Sequence, residues 1–169
     1  MHNRQCRLAG LLLAVSGAVS NAAETGHRVL SLTLADLVSD PAALQVGSAL
    51  STDEILEWQM YVPADYDPSR PSGLLVYISP TRSGDIPRSW RQVLDRHNVI
   101  WIAADRSGNS ELVARRLILA LLATSAARKH YAIDAERIYI SGHRNPDAHD
   151  FEEALLYLDS RIQPRQQTF

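Results

Sequence analysis

The stretch His130-Tyr131-Ala132-Ile133-Asp134-Ala135-Glu136-Arg137-Ile138-Tyr139-Ile140-Ser141-Gly142-His143 decides the fold. It starts at the end of a helix, passes through an Asp-Ala-Glu-Arg turn and enters a β-branched and aromatic run, residues 137–141, closed by Gly142. Such a run predicts a buried strand. Because open α/β sheets place their chemistry at the carboxyl ends of strands, the residues after Gly142 are the first candidates for a site.

Further strands are predicted on the amino-terminal side of this stretch. Residues 57–62 alternate, with Trp58, Met60 and Val62 on one face, which is typical of a half-buried strand. Residues 74–79 and 99–104 are continuous apolar runs, as expected of strands covered by helices on both faces. Residues 28–34 alternate weakly and predict a first strand.

Three helices complete the pattern. Residues 90–97 form a short helical segment. Residues 110–131 form a long helix with Asn109 or Ser110 as its cap, predicted to be buried over much of its circumference, and its apolar residues include Val113, Leu117, Ala120, Leu121 and Ala127. The last helix begins after Asn145-Pro146. Its apolar stripe is Phe151, Ala154, Leu155 and Leu158, opposite Glu152, Glu153 and Asp159. Strand, crossover helix and strand in succession favour parallel pairing, so the prediction is a three-layer α/β/α sandwich with a mostly parallel sheet.

The amino terminus predicts export. Arg4 and Arg7 precede a short apolar run, and residues 20–22 offer a small-x-small cleavage pattern, so residues 1–22 are interpreted as a signal peptide rather than a core helix. Residues 23–160 form one domain and residues 161–169 a polar tail. The sole cysteine, Cys6, would leave with the signal, which excludes disulfides and thiolate sites in a secreted or periplasmic chain. No membrane span is expected after cleavage.

Composition excludes a nucleic-acid partner. The chain has 17 basic and 19 acidic residues, and its arginines are scattered rather than gathered in a basic stripe. No glycine-rich phosphate loop or dinucleotide fingerprint is present, so no cofactor is expected.

Two segments resemble secreted α/β-hydrolases of the polyhydroxyalkanoate-depolymerase and feruloyl-esterase type. The first is Tyr61-Val62-Pro63-Ala64-x-Tyr66-Asp67-Pro68 with the strand at residues 74–78, and the second is residues 131–142, which resembles the approach to the nucleophile elbow. The resemblance implies a serine esterase with a serine, histidine and acid triad. In such a fold the next residues form the strained G-x-S-x-G turn. Here they are Gly142-His143-Arg144-Asn145-Pro146, so no nucleophile is identifiable.

Residues 142–159 are similar to another part of the same family, in which a Gly-His pair brings the triad histidine to the sheet before a final helix. Our hypothesis is that Gly142 is a junction, and that the chain is an incomplete, partial α/β-hydrolase fold without the elbow, the next strands and the triad acid. The alternative is a substituted elbow in a continuous homologue. By resemblance His143 is the catalytic base; otherwise it is a surface histidine in the loop that enters the helix.

Other candidates at the strand ends have a structural alternative that we favour. Ser141 could be a nucleophile, but its place in the strand favours a buried hydroxyl bonded to the backbone. Ser79-Pro80 stands where the family places its oxyanion hole, and the backbone of residues 82–84 could bind an oxyanion or form a plain turn. Asp105 and Asn109 follow a strand, where such residues usually cap a helix or close a turn.

His143, Asp147, His149 and Asp150 include metal-ligand types, but helical spacing turns His149 away from the two aspartates, and H-E-x-x-H is absent. No metal is therefore expected, because acids in the first turn of a helix are explained by the helix dipole.

Two functions remain open. The first is an ester hydrolase by descent, impaired or inactive, whose substrate would be a small or polymeric ester. The second is a non-catalytic secreted binding or regulatory module that keeps the outer wall of a cleft, with Tyr66, Trp90 and Trp101 as its residues. Loss of later strands would also leave the strand at residue 137 as an exposed edge, which predicts self-association and marginal stability.

Overall fold

The computed structural model describes residues 24–40, 49–142 and 148–162, with side chains as far as Ser160. A five-stranded sheet lies between two helical layers. The strands are β1 (Gly26–Leu32), β2 (Leu56–Val62), β3 (Ser72–Ile78), β4 (Val99–Ala104) and β5 (Ile133–Gly142). The helices are α1 (Leu34–Leu37), α2 (Arg91–His97), α3 (Val113–Arg128) and α4 (Ala148–Ile162), and a 3₁₀ turn at Arg88–Trp90 runs into α2.

The strand order is β1-β2-β4-β3-β5. β1 pairs with β2, and β2 with β4, in antiparallel fashion, whereas β3 pairs in parallel with both β4 and β5. The predicted three-layer α/β/α sandwich is confirmed. Its sheet is mixed, and the parallel part comprises the three strands that the sequence predicts to be parallel.

The two faces of the sheet bury separate apolar clusters. Trp58, Met60 and Val62 of β2 pack on the face covered by α3, while Tyr61 packs on the face covered by α2 and α4. The alternation predicted for β2 is therefore confirmed. β4 is buried along its whole length, as expected of a central strand covered on both faces.

The predicted Asp-Ala-Glu-Arg turn lies inside β5. Residues 134–137 stand opposite Gly73 alone, because the register moves from the Ser72–Ile133 pair to the Leu74–Ile138 pair. Asp134 Oδ1 accepts the Glu136 N–H at 2.9 Å, so the turn chemistry is real but forms a bulge within the strand. The strand therefore begins at Ile133, four residues before the predicted start.

The prediction for the long helix is wrong at its start and in its buried face. α3 begins at Val113 after Leu112, whose side chain makes no cap hydrogen bond, so neither Asn109 nor Ser110 caps the helix. Val113, Leu117 and Leu121 are 53–69% exposed. Ala120 and Ala127 are buried as predicted, and the buried face also contains Leu119, Leu122, Ala123 and Ala126, since the alanines allow the helix to approach the sheet closely.

α4 uses a different face from the one predicted. Phe151 and Leu155 are buried as expected, but Ala154 and Leu158 are exposed. Glu152 and Asp159, predicted to face solvent, lie beside the buried stripe because each accepts hydrogen bonds from a basic group of the sheet layer or α2. The polar partners, rather than apolar periodicity alone, set how far α4 is rotated.

β5 is an edge within the part of the chain that the structure describes. It pairs with β3 on one side, and no described strand pairs with its other side. Ile140, which continues the α3 face of the sheet, is 62% exposed. No helix in the described ranges is long and apolar enough to cross a membrane.

Candidate functional site

The candidate site is the edge of the sheet at which β3, β4 and β5 end. Parallel strands point their carboxyl ends to the same edge, and ligands of open α/β sheets bind there. β3 leads into residues 79–84, and β4 into residues 105–109. β5 leads into residues 143–147, which lie outside the described ranges.

The loop after β3 is closed by its own serine. Ser79 is 4% exposed, and its hydroxyl is 2.9 Å from the Ser83 carbonyl and 2.9 Å from the Thr81 hydroxyl. The same oxygen also accepts the Thr81 N–H at 3.2 Å. Because the hydroxyl holds the loop together, Ser79 acts as a structural residue.

Asp105 ties this loop to the sheet. Its Oδ1 accepts the Gly84 N–H at 2.7 Å, and its Oδ2 accepts the Gln59 side-chain amide at 2.6 Å. Its own N–H donates to the Glu57 carbonyl at 2.9 Å. Asp105 therefore has a structural role, but its carboxylate bonds to distant segments rather than capping α3 or closing its own turn.

The loops after β3 and β4 are interlocked through two glycines. A Cβ on Gly84 would lie 2.6 Å from the Ala103 oxygen, and one on Gly108 would lie 2.7 Å from the Thr81 carbonyl. Such distances are too short for any side chain, so both positions require glycine. Asn109 is exposed, and its N–H donates to the Pro80 carbonyl at 3.0 Å, which adds a further tie between the loops.

An oxyanion hole needs backbone N–H groups that point at the reacting oxygen and have no other acceptor. Of residues 82–84, Gly84 already donates its N–H to the Asp105 carboxylate. A carboxylate in that place would also repel a developing oxyanion. The plain-turn interpretation of this segment therefore agrees with the structure better than the oxyanion interpretation.

Ser141 lies in the regular part of β5, opposite Tyr77. Its side chain is exposed, so the prediction of a buried hydroxyl is wrong. An exposed serine in an extended strand still lacks the strained turn that raises a nucleophile above a sheet. Ser141 therefore does not replace the missing elbow.

His143 and Asp147 lie outside the described residues, so the role of His143 stays a prediction. His149 and Asp150 are the two described members of the possible metal cluster. His149 Nε2 is 3.6 Å from Glu153 Oε1, and both side chains are largely exposed. Within the described ranges, no three potential ligands converge on one point.

Sequence reasoning missed the arginines that hold the strand-end loops. Arg116 Nε donates to the Ser107 carbonyl at 2.8 Å, and its Nη2 lies 3.4 Å from the Ser79 carbonyl. Arg115 forms a two-pronged contact with Glu54, at 2.6 and 3.0 Å. The signal available in the sequence was an adjacent pair of arginines in an otherwise apolar helix.

Arg106, just after β4, has a left-handed backbone with φ of 51°. Its N–H donates to the Arg82 carbonyl at 2.7 Å, and its guanidinium donates to the Ile55 carbonyl at 2.8 Å. Arg115 Nε lies 3.2 Å from the Arg106 carbonyl. Surrounding contacts of this kind are needed to keep a non-glycine residue in a sparsely populated conformation.

The aromatic residues assigned to a cleft wall do not form one. Trp90 and Trp101 are at most 1% exposed and belong to the core under α2 and α4. Trp90 stacks on Phe151 of α4 with ring centroids 4.2 Å apart. Tyr66 Oη accepts the Ala132 N–H at 2.7 Å and therefore secures the start of β5.

Two depressions show where ligands could approach. A groove of about 380 Å³ at the carboxyl edge is lined by Glu57, Arg82, Ser83, Asp105 and Arg106. A larger depression of about 840 Å³ lies at the opposite edge, against Asn98 and Ile133. Of these two depressions, only the smaller groove adjoins the carboxyl ends of the strands, so it is the candidate ligand site.

Comparison with solved structures gives partial matches to ester hydrolases. An S-formylglutathione hydrolase from Agrobacterium tumefaciens is 13% identical, with a TM-score of 0.46, over 69% of this chain and 48% of its own. The poly(3-hydroxybutyrate) depolymerase LpqC from Bordetella parapertussis is 17% identical, with a TM-score of 0.46, over 71% and 43%. An acetyl xylan esterase from Aspergillus awamori is 14% identical, with a TM-score of 0.43, over 68% and 42%.

This chain spans less than half the length of each of these proteins. No family model matches it, and no curated protein is significantly similar to it. Similarity at this level does not assign a role to any residue. The mixed five-stranded sheet between two helical layers agrees with the predicted three-layer α/β/α sandwich.

Proposed function

We propose that this chain descends from a secreted carboxylic-ester hydrolase and does not itself hydrolyse esters. The sequence resemblance at residues 61–68 and 131–142 supports the descent. The loss of activity rests chiefly on one observation: the Asp105 carboxylate accepts the Gly84 N–H in the segment that would stabilise an oxyanion. Ser141 supports the same conclusion, since it lies in an extended strand rather than on a raised turn.

The test is hydrolysis of p-nitrophenyl esters of short and medium chain length by the purified chain. We expect the rate to equal the uncatalysed background for the wild type, His143→Ala and Ser141→Ala. His143 would be the base of any residual triad, and Ser141 is the serine nearest to it in sequence. Turnover by the wild type that His143→Ala abolishes would contradict the loss of activity.

Turnover that survives His143→Ala but not Ser141→Ala would equally contradict the proposal, and would place the chemistry at a different base. Binding of the ester without turnover, measured by calorimetry, would instead favour a non-catalytic module. Trp90 and Trp101 are buried, so they cannot line the binding cleft that this alternative requires.

Export is a second part of the proposal, and it rests on the charge and apolar pattern of residues 1–22. Expression in a bacterial host with a secretory pathway should yield a periplasmic or secreted chain that begins at Ala23. Amino-terminal sequencing and intact mass measure this directly. An unprocessed chain that retains Met1 or Cys6 would contradict the signal-peptide interpretation.

A further inference from the structure

The free side of β5 carries an unusual combination of exposed groups. Ile140 is 62% exposed on the α3 face, where it continues the row formed with Ile138. α3 packs mainly on β3 and β4, and within the described ranges Ile140 stays largely uncovered on this face. An extended edge with apolar side chains and no covering element invites pairing with another strand.

The opposite face of the same edge is covered by α4. α4 contacts α2 through Glu152, which accepts hydrogen bonds from Arg96 and lies 2.8 Å from His97 Nε2. Ala154 lies about 200° around the helix from Glu152 and therefore faces away from α2, beyond β5. Leu158, which is 39% exposed, lies on that side too.

We propose that two copies of this chain associate by antiparallel pairing of β5 with β5, to form one continuous ten-stranded sheet. Directly opposite residues in such a ladder share a face. A two-fold axis normal to the sheet therefore passes midway between one residue and the same residue of the second copy. An axis at Tyr139 places Ile138 of one copy opposite Ile140 of the other, twice. In this register Ile138, Tyr139 and Ile140 of the two copies pair within the regular part of β5, and none of these three residues is charged.

A neighbouring register is less favourable. An axis at Ile138 would set Tyr139 and Ile140 against residues 137 and 136, which lie in the bulge and cannot keep a regular ladder. In the register centred on Tyr139, the two α4 helices lie on one face, with their Ala154 sides towards each other. A small residue at that position allows helices to approach to about 8–10 Å.

A second copy suits this edge better than the chain's own tail. Residues 163–169 are Gln-Pro-Arg-Gln-Gln-Thr-Phe, and proline cannot donate to a ladder. β1, the other edge of the sheet, is protected by Arg28, which forms an ion pair with Glu24 on that edge. Charged side chains on an edge strand discourage pairing, and in β5 they are confined to residues 134–137, outside its regular run.

The first test is sedimentation equilibrium of the full chain, as purified, at concentrations up to about 100 µM. We expect a dimer for the wild type and an association about tenfold weaker for Ile140→Lys, because the ammonium group would face Ile138 of the partner copy. The matched control is Val29→Lys on β1, where the wild-type side chain is 48% exposed, and it should leave the dimer intact. A monomeric wild type overturns the proposal. So does a dimer that dissociates in Val29→Lys but stays intact in Ile140→Lys.

The second test determines which residues of the two β5 strands lie opposite each other. It does not depend on how well Ile140→Lys folds. In a Cys6→Ser background, which removes the single native cysteine, chains carrying Ile138→Cys and Ile140→Cys are mixed and mildly oxidised. Opposite Cα atoms in an antiparallel ladder are about 4.5–5.5 Å apart, within disulfide reach, whereas diagonal pairs are about 7–8 Å apart. We expect cross-linked dimers from the mixture and few from either chain alone. Equal or absent cross-linking in all three samples overturns the proposal, as does a wild-type dimer that becomes monomeric when residues 163–169 are deleted.

Discussion

At the scale of single residues, the carboxyl edge of the sheet is held by polar side chains that look catalytic in the sequence. Asp105 accepts one backbone and one side-chain hydrogen bond, and Ser79 accepts one and lies within bonding distance of two more oxygens. Neither group is left available to react with a ligand. A polar residue at a strand end can therefore be recognised from the sequence. Its hydrogen-bond partners in the structure are needed to tell whether it serves catalysis or stability.

Asp105→Ala should lower the free energy of unfolding by about 1–3 kcal/mol, because it leaves the buried Gly84 N–H without an acceptor. Urea unfolding followed by circular dichroism measures the change. The control is Asp85→Ala in the same loop, where the side chain is exposed and the change should stay within about 0.5 kcal/mol. Equal effects of the two substitutions would contradict the role assigned to Asp105.

Glu54 gives a pH dependence of known sign. The hydrogen bond from Arg115 holds the pKa of this carboxyl below its unfolded value of 4.5, despite partial burial. A lowered folded-state pKa contributes stability above pH 4.5 that is lost as the pH falls below it. Glu54→Gln should therefore destabilise the protein at pH 7 and flatten the acid limb of its stability profile, as measured by thermal unfolding between pH 3 and pH 7. An unchanged acid limb would show that other carboxylates control it.

At the scale of elements, α4 is joined to β5 by a polar cluster as well as by apolar packing. Arg137 donates to Asp159 at 3.1 and 3.2 Å, and the Tyr139 hydroxyl also donates to Asp159. Burial, together with a smaller contribution from the hydrogen bond to Asp159, raises the pKa of Tyr139 to about 12. Burial acts to raise the pKa of Asp159, but its hydrogen bonds from Arg137 and Tyr139 outweigh burial and lower it.

Asp159→Ala should cost about 2–3 kcal/mol, since it leaves the part-buried Arg137 guanidinium without its counter-charge. The loss should concentrate in α4, so amide hydrogens of α4 should exchange faster while those of β4 keep their protection. Glu153→Ala is the control on the same helix, because its exposed pair with His149 contributes at most about 1 kcal/mol. Uniform loss of protection across the sheet would contradict a local role.

The elements also show how much could be predicted from the sequence. β2 and β4 could be predicted from their apolar patterns. The alternation in β2 and the continuous apolar run in β4 follow directly from which faces of each strand are covered. The bulge in β5 could not be predicted. An Asp-x-Glu turn forms the same local hydrogen bond whether it ends a strand or interrupts one that stays paired with β3. The faces of α3 and α4 were mispredicted because Leu117 and Leu158 are as apolar as the residues that are buried. Which of these apolar residues are buried depends on alanine contacts and ion pairs with residues that are distant in the sequence.

At the scale of the whole molecule, an open sheet edge couples stability to association. A dimer that forms only from folded chains stabilises them by mass action, so the transition temperature rises with concentration. For a chain of this size we expect a rise of about 2 °C for each tenfold increase in concentration. Differential scanning calorimetry of the wild type and Ile140→Lys checks this, and the variant should need about tenfold more protein to gain the same stabilisation from association. A sharp, concentration-independent transition of a wild-type monomer would contradict both the association and the marginal stability.

The stack of Trp90 on Phe151 gives the molecule an optical reporter. All three tryptophans are buried, but only Trp90 is stacked against a residue of α4. Undocking of that helix would hydrate one indole and leave the emission of the other two in their apolar surroundings. A partial red shift of the fluorescence would then mark release of the carboxyl-terminal helix before the sheet itself melts.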